Sequence, residues 1–307
     1  MSELKSIKTL IVIVGPTGIG KTDLGICLAK SLDTEIISAD SRQFYKELRI
    51  GTAVPNETQL KSVKHHFIGN KSIDDYYNAS SFEFEVIDLL DKLFIQKKNI
   101  IMLGGSGMYV DAVCKGIDYL PDIDMDIRNK LIKKFENEGI ESLRFELQKY
   151  DPEYYKIADL KNPKRLLKAL EISIMTGKPY SSFRTKENKT RNFSLLKIGL
   201  NIEREQLYYR IDQRVDKMIE NGLLDEAKQF LNNKHLNALN TVGYKELFPY
   251  FEGEYNLDRA VELIKRNTRR YAKRQLSWFN RDKEIKWFNP SERENIFEFV
   301  KNNISNM

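Results

Sequence analysis

The chain has 307 residues, 41% hydrophobic and 31% charged; that is enough for one large domain or two modest ones, and it excludes a fibrous or largely disordered chain. Lysine and arginine outnumber aspartate and glutamate by 50 to 44, and the net charge of +6 permits a polyanionic partner without demanding one. The 3 histidines and the 2 cysteines, Cys27 and Cys114, are unclustered, which argues against a transition-metal site, and no apolar run approaches the roughly 20 residues of a membrane span.

The first element is Thr9–Val14 (TLIVIV), a continuous β-branched run that predicts a buried parallel strand. It is too short for a signal peptide, so a reducing cytoplasmic setting is expected. Next come Gly15, Pro16, Thr17, Gly18, Ile19, Gly20, Lys21 and Thr22, which satisfy G-x-x-x-x-G-K-[ST]. Leu24, Leu28 and Leu32 then take helical spacing. A phosphate loop requires this strand–loop–helix context. Its glycines let several N–H groups converge on one anion, and the helix N-terminus adds positive potential. Lys21 supplies a point charge and the Thr22 hydroxyl can hold Mg2+. A chance turn is the plain alternative, but motif and context agree independently.

Glu35–Ser38 reads as a second strand that ends at Ala39-Asp40. Ligands of open parallel sheets sit beyond the carboxyl ends of the strands, so Asp40 is expected to share a crevice with the loop. There it can act as a general base, or it can simply close an Asx-turn or cap a helix. Phe82–Phe94 has helical spacing, and Asn99–Leu103 (NIIML) is a third buried strand. It runs into Gly104-Gly105-Ser106-Gly107, where Ser106 can donate a hydrogen bond to a ligand; alone, such a turn is a weak signal. The loop by itself suggests ATP. A motor or switch ATPase also needs an acidic metal ligand after an apolar strand, and neither Ile87–Asp91 nor Asn99–Leu103 supplies one.

From Pro121 to Asn192 the signals are almost only helical, with Leu131, Phe135, Ile140 and Leu143 suiting one helix pair and Leu166, Leu167, Leu170 and Ile174 another. Ser182–Asn192 is polar and loop-like, and Ser194–Asn201 returns to strand. Helices are expected over Glu205–Leu231 and Leu257–Phe279. The expected fold is α/β, a P-loop NTPase-like parallel sheet flanked by helices, with an all-helical inserted domain. Residues 1–120 and 194–307 would form the catalytic core and 121–193 the insertion. The segment Ile264–Lys283 carries Lys265, Arg266, Arg269, Arg270, Lys273, Arg274, Arg281 and Lys283 against one acid, Asp282. Val261, Ile264, Tyr271 and Trp278 recur on it at helical spacing as a seam for docking on the core. Such a basic face suits a phosphate backbone and stacked bases; its plain alternative is a solvated charged helix.

Taken together these stretches resemble the tRNA dimethylallyltransferases, also called tRNA isopentenyl(adenosine) transferases. The resemblance spans GPTGIGKT at 15–22, ISADSRQFY at 37–45, IGTAVP at 50–55, HHFI at 65–68 and GGSGMYV at 104–110. It continues through KRLLKALEI with TGKP at 164–179, YRIDQRVDKMIENGLLDEA at 209–227, TVGYKEL at 241–247 and TRRYAKRQLSWF at 268–279. It implies transfer of a dimethylallyl group from its diphosphate to N6 of adenine-37 in the tRNA anticodon loop. It also implies that the P-loop holds the diphosphate with Mg2+, that Asp40 is the base, and that Arg214 helps neutralise the diphosphate. Asp40, Ser41, Arg42 and Gln43 would contact the flipped adenine, beside Ser106, which stands where the family usually has Thr. Arg128, Lys164, Arg165, Lys168, Thr241, Gly243, Tyr244 and Lys245 match segments that touch tRNA, with Arg269, Arg270, Lys273 and Arg274 on the basic helix. Departures are Gly18-Ile19 where Ala-Ser is common, and Lys164 and Lys168 in place of the usual Gln and Arg. The insertion would clamp the anticodon stem of the tRNA partner, with the enzyme a cytoplasmic monomer by default.

Two other readings use the same loop and Asp40: a small-molecule kinase or prenyltransferase, and a non-catalytic RNA-binding protein with a vestigial site. The helical insertion and basic helix argue against the first; intact Lys21, Thr22 and Asp40 argue against the second.

Overall fold

The computed structural model describes residues 8–121, 124–185 and 188–306. The chain forms two compact units, Met1–Lys115 with Thr190–Met307, and Gly116–Lys189. The seams lie a few residues before the expected boundaries at 120 and 193. Arg191 explains the second seam: it donates to the Val113 and Ala112 carbonyls and pairs with buried Glu83 at 2.7 Å, so it belongs to the first unit. Within the polar stretch Ser182–Asn192, residues 186 and 187 lie outside the described residues.

In chain order the first unit opens with β1 (Thr9–Val14), α1 (Lys21–Ser31), β2 (Ile36–Ser38), α2 (Glu57–Ser62), β3 (His65–His66), α3 (Ala79–Gln96), β4 (Asn99–Gly104) and α4 (Gly107–Lys115). The second unit holds α5 (Met125–Glu138), α6 (Ile140–Tyr150), α7 (Pro152–Ile157) and α8 (Pro163–Thr176). The first unit resumes with β5 (Ser194–Leu200), α9 (Arg204–Glu220), α10 (Leu223–Lys228), α11 (Tyr244–Phe251), α12 (Leu257–Phe279), β6 (Lys286–Phe288) and α13 (Arg293–Asn306).

The strands form one six-stranded parallel sheet in the order β3-β2-β4-β1-β5-β6. β1 lies inside it and every one of its residues is buried, which is why its sequence does not alternate. Register decides where the site falls. Val14 pairs with Gly104, and Ser38 with Leu103, so β1, β2 and β4 end level with one another. The P-loop, the Asp40 turn and the 104–107 turn therefore leave the same edge of the sheet side by side.

The helix expected over Glu205–Leu231 is broken, because Gly222 takes a left-handed φ of 96° between α9 and α10. The tail after Asn289 is α13, whose Ile296 and Val300 are buried in the core beside Leu28, Ile198 and Leu207. In the second unit Leu131, Leu143, Leu147, Leu166 and Leu170 form a core of their own. Its fully buried Asp151 caps α7 through the Tyr154 amide and accepts from the amide and hydroxyl of Ser181.

Candidate active site

After β1 the chain must turn at once into α1, and Gly18 and Gly20 do this with left-handed φ of 79° and 99°. Lys21 opens α1 and folds back, so that its Nζ donates to the carbonyls of Gly15 at 3.0 Å and Pro16 at 2.8 Å. Desolvation, followed by the Arg214 guanidinium, pushes the Lys21 ammonium down to about 7 against the pull of Asp40. Arg214 comes from α9, where burial also lowers its pKa and Asp40 opposes the shift; it forms no ion pair among the described residues. Loop, Arg214 and Arg210 bound a cavity of about 320 Å3, closed by Ser38, Asp40, Gly105, Tyr271 and Gln275. Three basic side chains, Lys21, Arg210 and Arg214, beside the N-terminus of α1 make it a receptor for a compact polyanion.

A second cavity, of about 250 Å3, adjoins the first and shares Thr17, Asp40, Arg214 and Tyr271 with it. Its other walls are Ser41, Arg42, Gly51 and Thr52, then Thr241, Gly243 and Lys245, then Thr268 and Arg274 of α12. Asp40 stands at the junction. Its Oδ1 accepts from the Arg42 amide at 2.9 Å, the Asx-turn of the plain alternative, while the carboxylate still lines both cavities. The turn fixes the carboxylate at the junction of the two cavities.

Several expected ligand contacts turn out to be internal ones. The Ser106 hydroxyl accepts from the Ser41 amide at 2.9 Å and donates to Ser41 Oγ at 3.1 Å, so it braces the turn that carries Asp40. The Gln43 carboxamide joins Ser38 Oγ to the carbonyls of Thr52 and Ala53. Tyr244 is fully buried with its hydroxyl on Glu226 at 2.6 Å, so its ring is not open to tRNA. Arg269 is held in both Asp212 carboxylate oxygens, at 2.6 and 2.7 Å, and Lys265 pairs with Asp216 at 2.6 Å. α9 thus supplies acids to the acid-free stretch Ile264–Phe279 of α12. Arg270, Lys273 and Arg274 are exposed and form no ion pair among the described residues. In the second unit Arg128 meets buried Glu171 at 2.9 Å, with Lys168 at 3.7 Å, whereas Lys164 and Arg165 are exposed. The buried seam of α12 is Ala260, Ile264, Ala272, Gln275 and Phe279; Tyr271 faces the cavities, and Trp278 is partly exposed with its N–H on Asp111.

Sequence reasoning misses two residues that build the site. Glu226 on α10 accepts from the amides of Arg49, Ile50 and Gly51 as well as from Tyr244, and so fixes the loop that walls the second cavity. Gln275 joins the P-loop to the 104–107 turn. Neither has a local signal, since the backbone groups they hold lie 170 or more residues away. The residues present fit Mg2+ of the phosphate-bound kind. The Thr22 hydroxyl, Ser38 and Asp40 line the first cavity, and no group of 3 or more His, Cys, Asp or Glu sits together among the described residues. A cation here would complete its oxygen shell from phosphate and water.

A family model described as IPP transferase matches residues 43–282. The chain is 53% identical over 293 residues to tRNA dimethylallyltransferase 1 of Bacteroides thetaiotaomicron, covering 95% of each chain. It is 52% identical over 297 residues to the tRNA dimethylallyltransferase of Christiangramia forsetii, covering 96% of this chain and 98% of that one. Among solved structures it is similar to the tRNA isopentenylpyrophosphate transferase of Bacillus halodurans, with a TM-score of 0.72 at 33% identity over 97% of both chains. It is also similar to a eukaryotic dimethylallyltransferase acting on tRNA, with a TM-score of 0.79 at 25% identity over 97% of this chain and 80% of the other.

Proposed function

The chain belongs to the IPP transferase family and is a tRNA dimethylallyltransferase, and from that premise we propose how its joined cavities carry out the transfer. The first cavity takes the diphosphate of dimethylallyl diphosphate, on the loop amides, Lys21, Arg214 and Arg210. The second takes the acceptor adenine, position 37, extruded from the anticodon loop because its exocyclic nitrogen is out of reach inside a stack. Ser41, Arg42, Thr241, Gly243 and Lys245 surround it. N6 attacks the first carbon of the dimethylallyl group as the C–O bond to diphosphate breaks. The lone pair of N6 is delocalised into the ring, so the amine needs a base, and Asp40 takes its proton. The leaving diphosphate keeps the bonding pair, and Lys21 and Arg214 neutralise it. Mg2+ on the Thr22 hydroxyl would supply further charge neutralisation when bound. Lys164 and Arg165 of the second unit and Arg270, Lys273 and Arg274 of α12 grip the tRNA backbone. No described helix is long and apolar enough to cross a membrane.

The observation that carries this reading is Asp40 on the boundary of both cavities. The test supplies labelled dimethylallyl diphosphate and Mg2+ with unmodified tRNA or with AMP. Label is expected on adenine-37 of tRNA; label on AMP alone would overturn the acceptor. Asp40→Asn is expected to lose about 100-fold to 10,000-fold in turnover while keeping tRNA affinity. Turnover near wild type would remove Asp40 as the base.

A further inference from the structure

We propose that Gln275 is a positioning residue for the transfer: its carboxamide locks the donor loop and the turn that carries the base into one register. The proposal rests on the transfer reading above. Gln275 is 4% exposed, an unusual place for a polar side chain, near the C-terminal end of α12. Its Oε1 accepts from the Thr17 amide at 2.9 Å, and its Nε2 donates to the Gly105 carbonyl at 2.9 Å. Thr17 belongs to the P-loop. Gly105 is followed by Ser106, whose hydroxyl accepts from the Ser41 amide, and Ser41 follows Asp40 directly. One turn earlier on α12, Tyr271 lines both cavities. Beside the backbone pairing of Val14 with Gly104, the side-chain path from the P-loop to the Asp40 turn therefore runs through this carboxamide.

The chemistry of this link admits few substitutes. Thr17 presents a donor and Gly105 an acceptor, so the side chain between them must accept with one end and donate with the other. Glutamate replaces the donor facing the Gly105 carbonyl with an acceptor and brings negative charge into the cavity that receives diphosphate. Methionine keeps the length and makes neither bond. Gly105 is tied to the same requirement: a Cβ there would lie 2.1 Å from Gln275 Nε2, so any side chain at 105 displaces the carboxamide. Thr268, Tyr271 and Arg274 of α12 line the acceptor cavity, so the helix that meets the acceptor also holds the donor loop. Misplacement of reacting groups by an ångström is worth about 100-fold in rate, which is the scale of effect expected when the link is cut.

The test uses the full chain, with single-turnover transfer, donor KM, tRNA affinity and thermal melting measured for Gln275→Met, Gln275→Glu, Gly105→Ala and the Gln275→Met/Gly105→Ala double variant. Gln275→Met is expected to slow single-turnover transfer by about 10-fold to 100-fold and raise donor KM several-fold, with tRNA affinity within about twofold of wild type. Gln275→Glu should raise donor KM further. Since Gly105→Ala breaks the same link from the other side, the double variant should be no slower than the worse single variant. A wild-type rate and donor KM in Gln275→Met, or multiplicative losses in the double variant, overturn the proposal. If Gln275→Met does not fold, Gly105→Ala decides by the same readouts. A wild-type protein that labels no tRNA overturns the transfer reading instead, so the two failures are distinct.

Discussion

The charge on Lys21 depends on a proton near neutral pH. Desolvation and Arg214 bring its pKa down to about 7 in the free protein, so below that value the ammonium is present and above it the side chain is neutral. An incoming diphosphate prefers the ammonium. Below pH 7 it finds the charge ready; above pH 7 it must bind together with a proton. Donor affinity should therefore fall as pH rises from 7 to 9, approaching tenfold per pH unit, about 1.36 kcal/mol for each unit. Calorimetry in buffers of different ionisation enthalpy should show proton uptake on binding at pH 8 and little at pH 6. Lys21→Arg, whose guanidinium stays charged, should remove the uptake; uptake that persists would place the titration on another group. The phosphate loop was legible because its function is written in eight consecutive residues, Gly15–Thr22. Glu226 was not. A glutamate within LLDEA on a helix carries no mark of the three backbone amides it gathers from Arg49, Ile50 and Gly51. A sequence shows which groups can hydrogen-bond but not that neighbours already engage them: Ser106 is taken up by Ser41, and Gln43 lines the first cavity while bound to Ser38, Thr52 and Ala53.

A helix gives its charges meaning only together with the element it packs against. From Ile264 to Phe279 α12 carries no acid, yet Arg269 and Lys265 face Asp212 and Asp216 of α9 and stitch the two helices together. Arg270, Lys273 and Arg274, by contrast, are exposed. The two sets should separate experimentally. Arg269→Ala should lower stability by about 1 kcal/mol, as expected for a half-exposed bidentate pair, and leave the salt dependence of tRNA binding unchanged. Arg270→Ala and Arg274→Ala should each weaken tRNA binding and reduce the slope of log affinity against log salt by about 0.7–0.9, with melting temperature unchanged. A reduced slope in Arg269→Ala alone would return that residue to the tRNA face. The long strongly patterned elements were visible beforehand, whereas β3 and β6, two and three residues long at the sheet edges, gave no periodic signal. α13 lay in a tail where Ile296 and Val300 show their role only once the sheet core is there to receive them.

At the scale of the molecule, the two cavities and the helical excursion fall in different units. Every residue of the joined cavities belongs to the first unit, and the second unit, Gly116–Lys189, has its own core. The chain enters and leaves that second unit at nearly the same point: a Cβ on Gly116 would lie 2.9 Å from the Cβ of Lys189. The excursion between them can thus be replaced by a short glycine-serine linker with little loop-closure penalty, since such penalties grow only slowly with length and the ends already meet. The buried Arg191–Glu83 pair, which anchors the returning chain, stays with the core. The excised protein should melt within a few degrees of the full chain and bind dimethylallyl diphosphate with unchanged affinity. Its tRNA affinity should drop at least about tenfold, and the lost salt dependence should match the removal of the exposed Lys164 and Arg165. Calorimetry for the donor and filter binding over a salt series for tRNA would measure both. Loss of donor binding with the fold intact would mean that the insertion shapes the donor cavity. Undiminished tRNA affinity would assign the whole grip to the first unit, with α12 as its main surface.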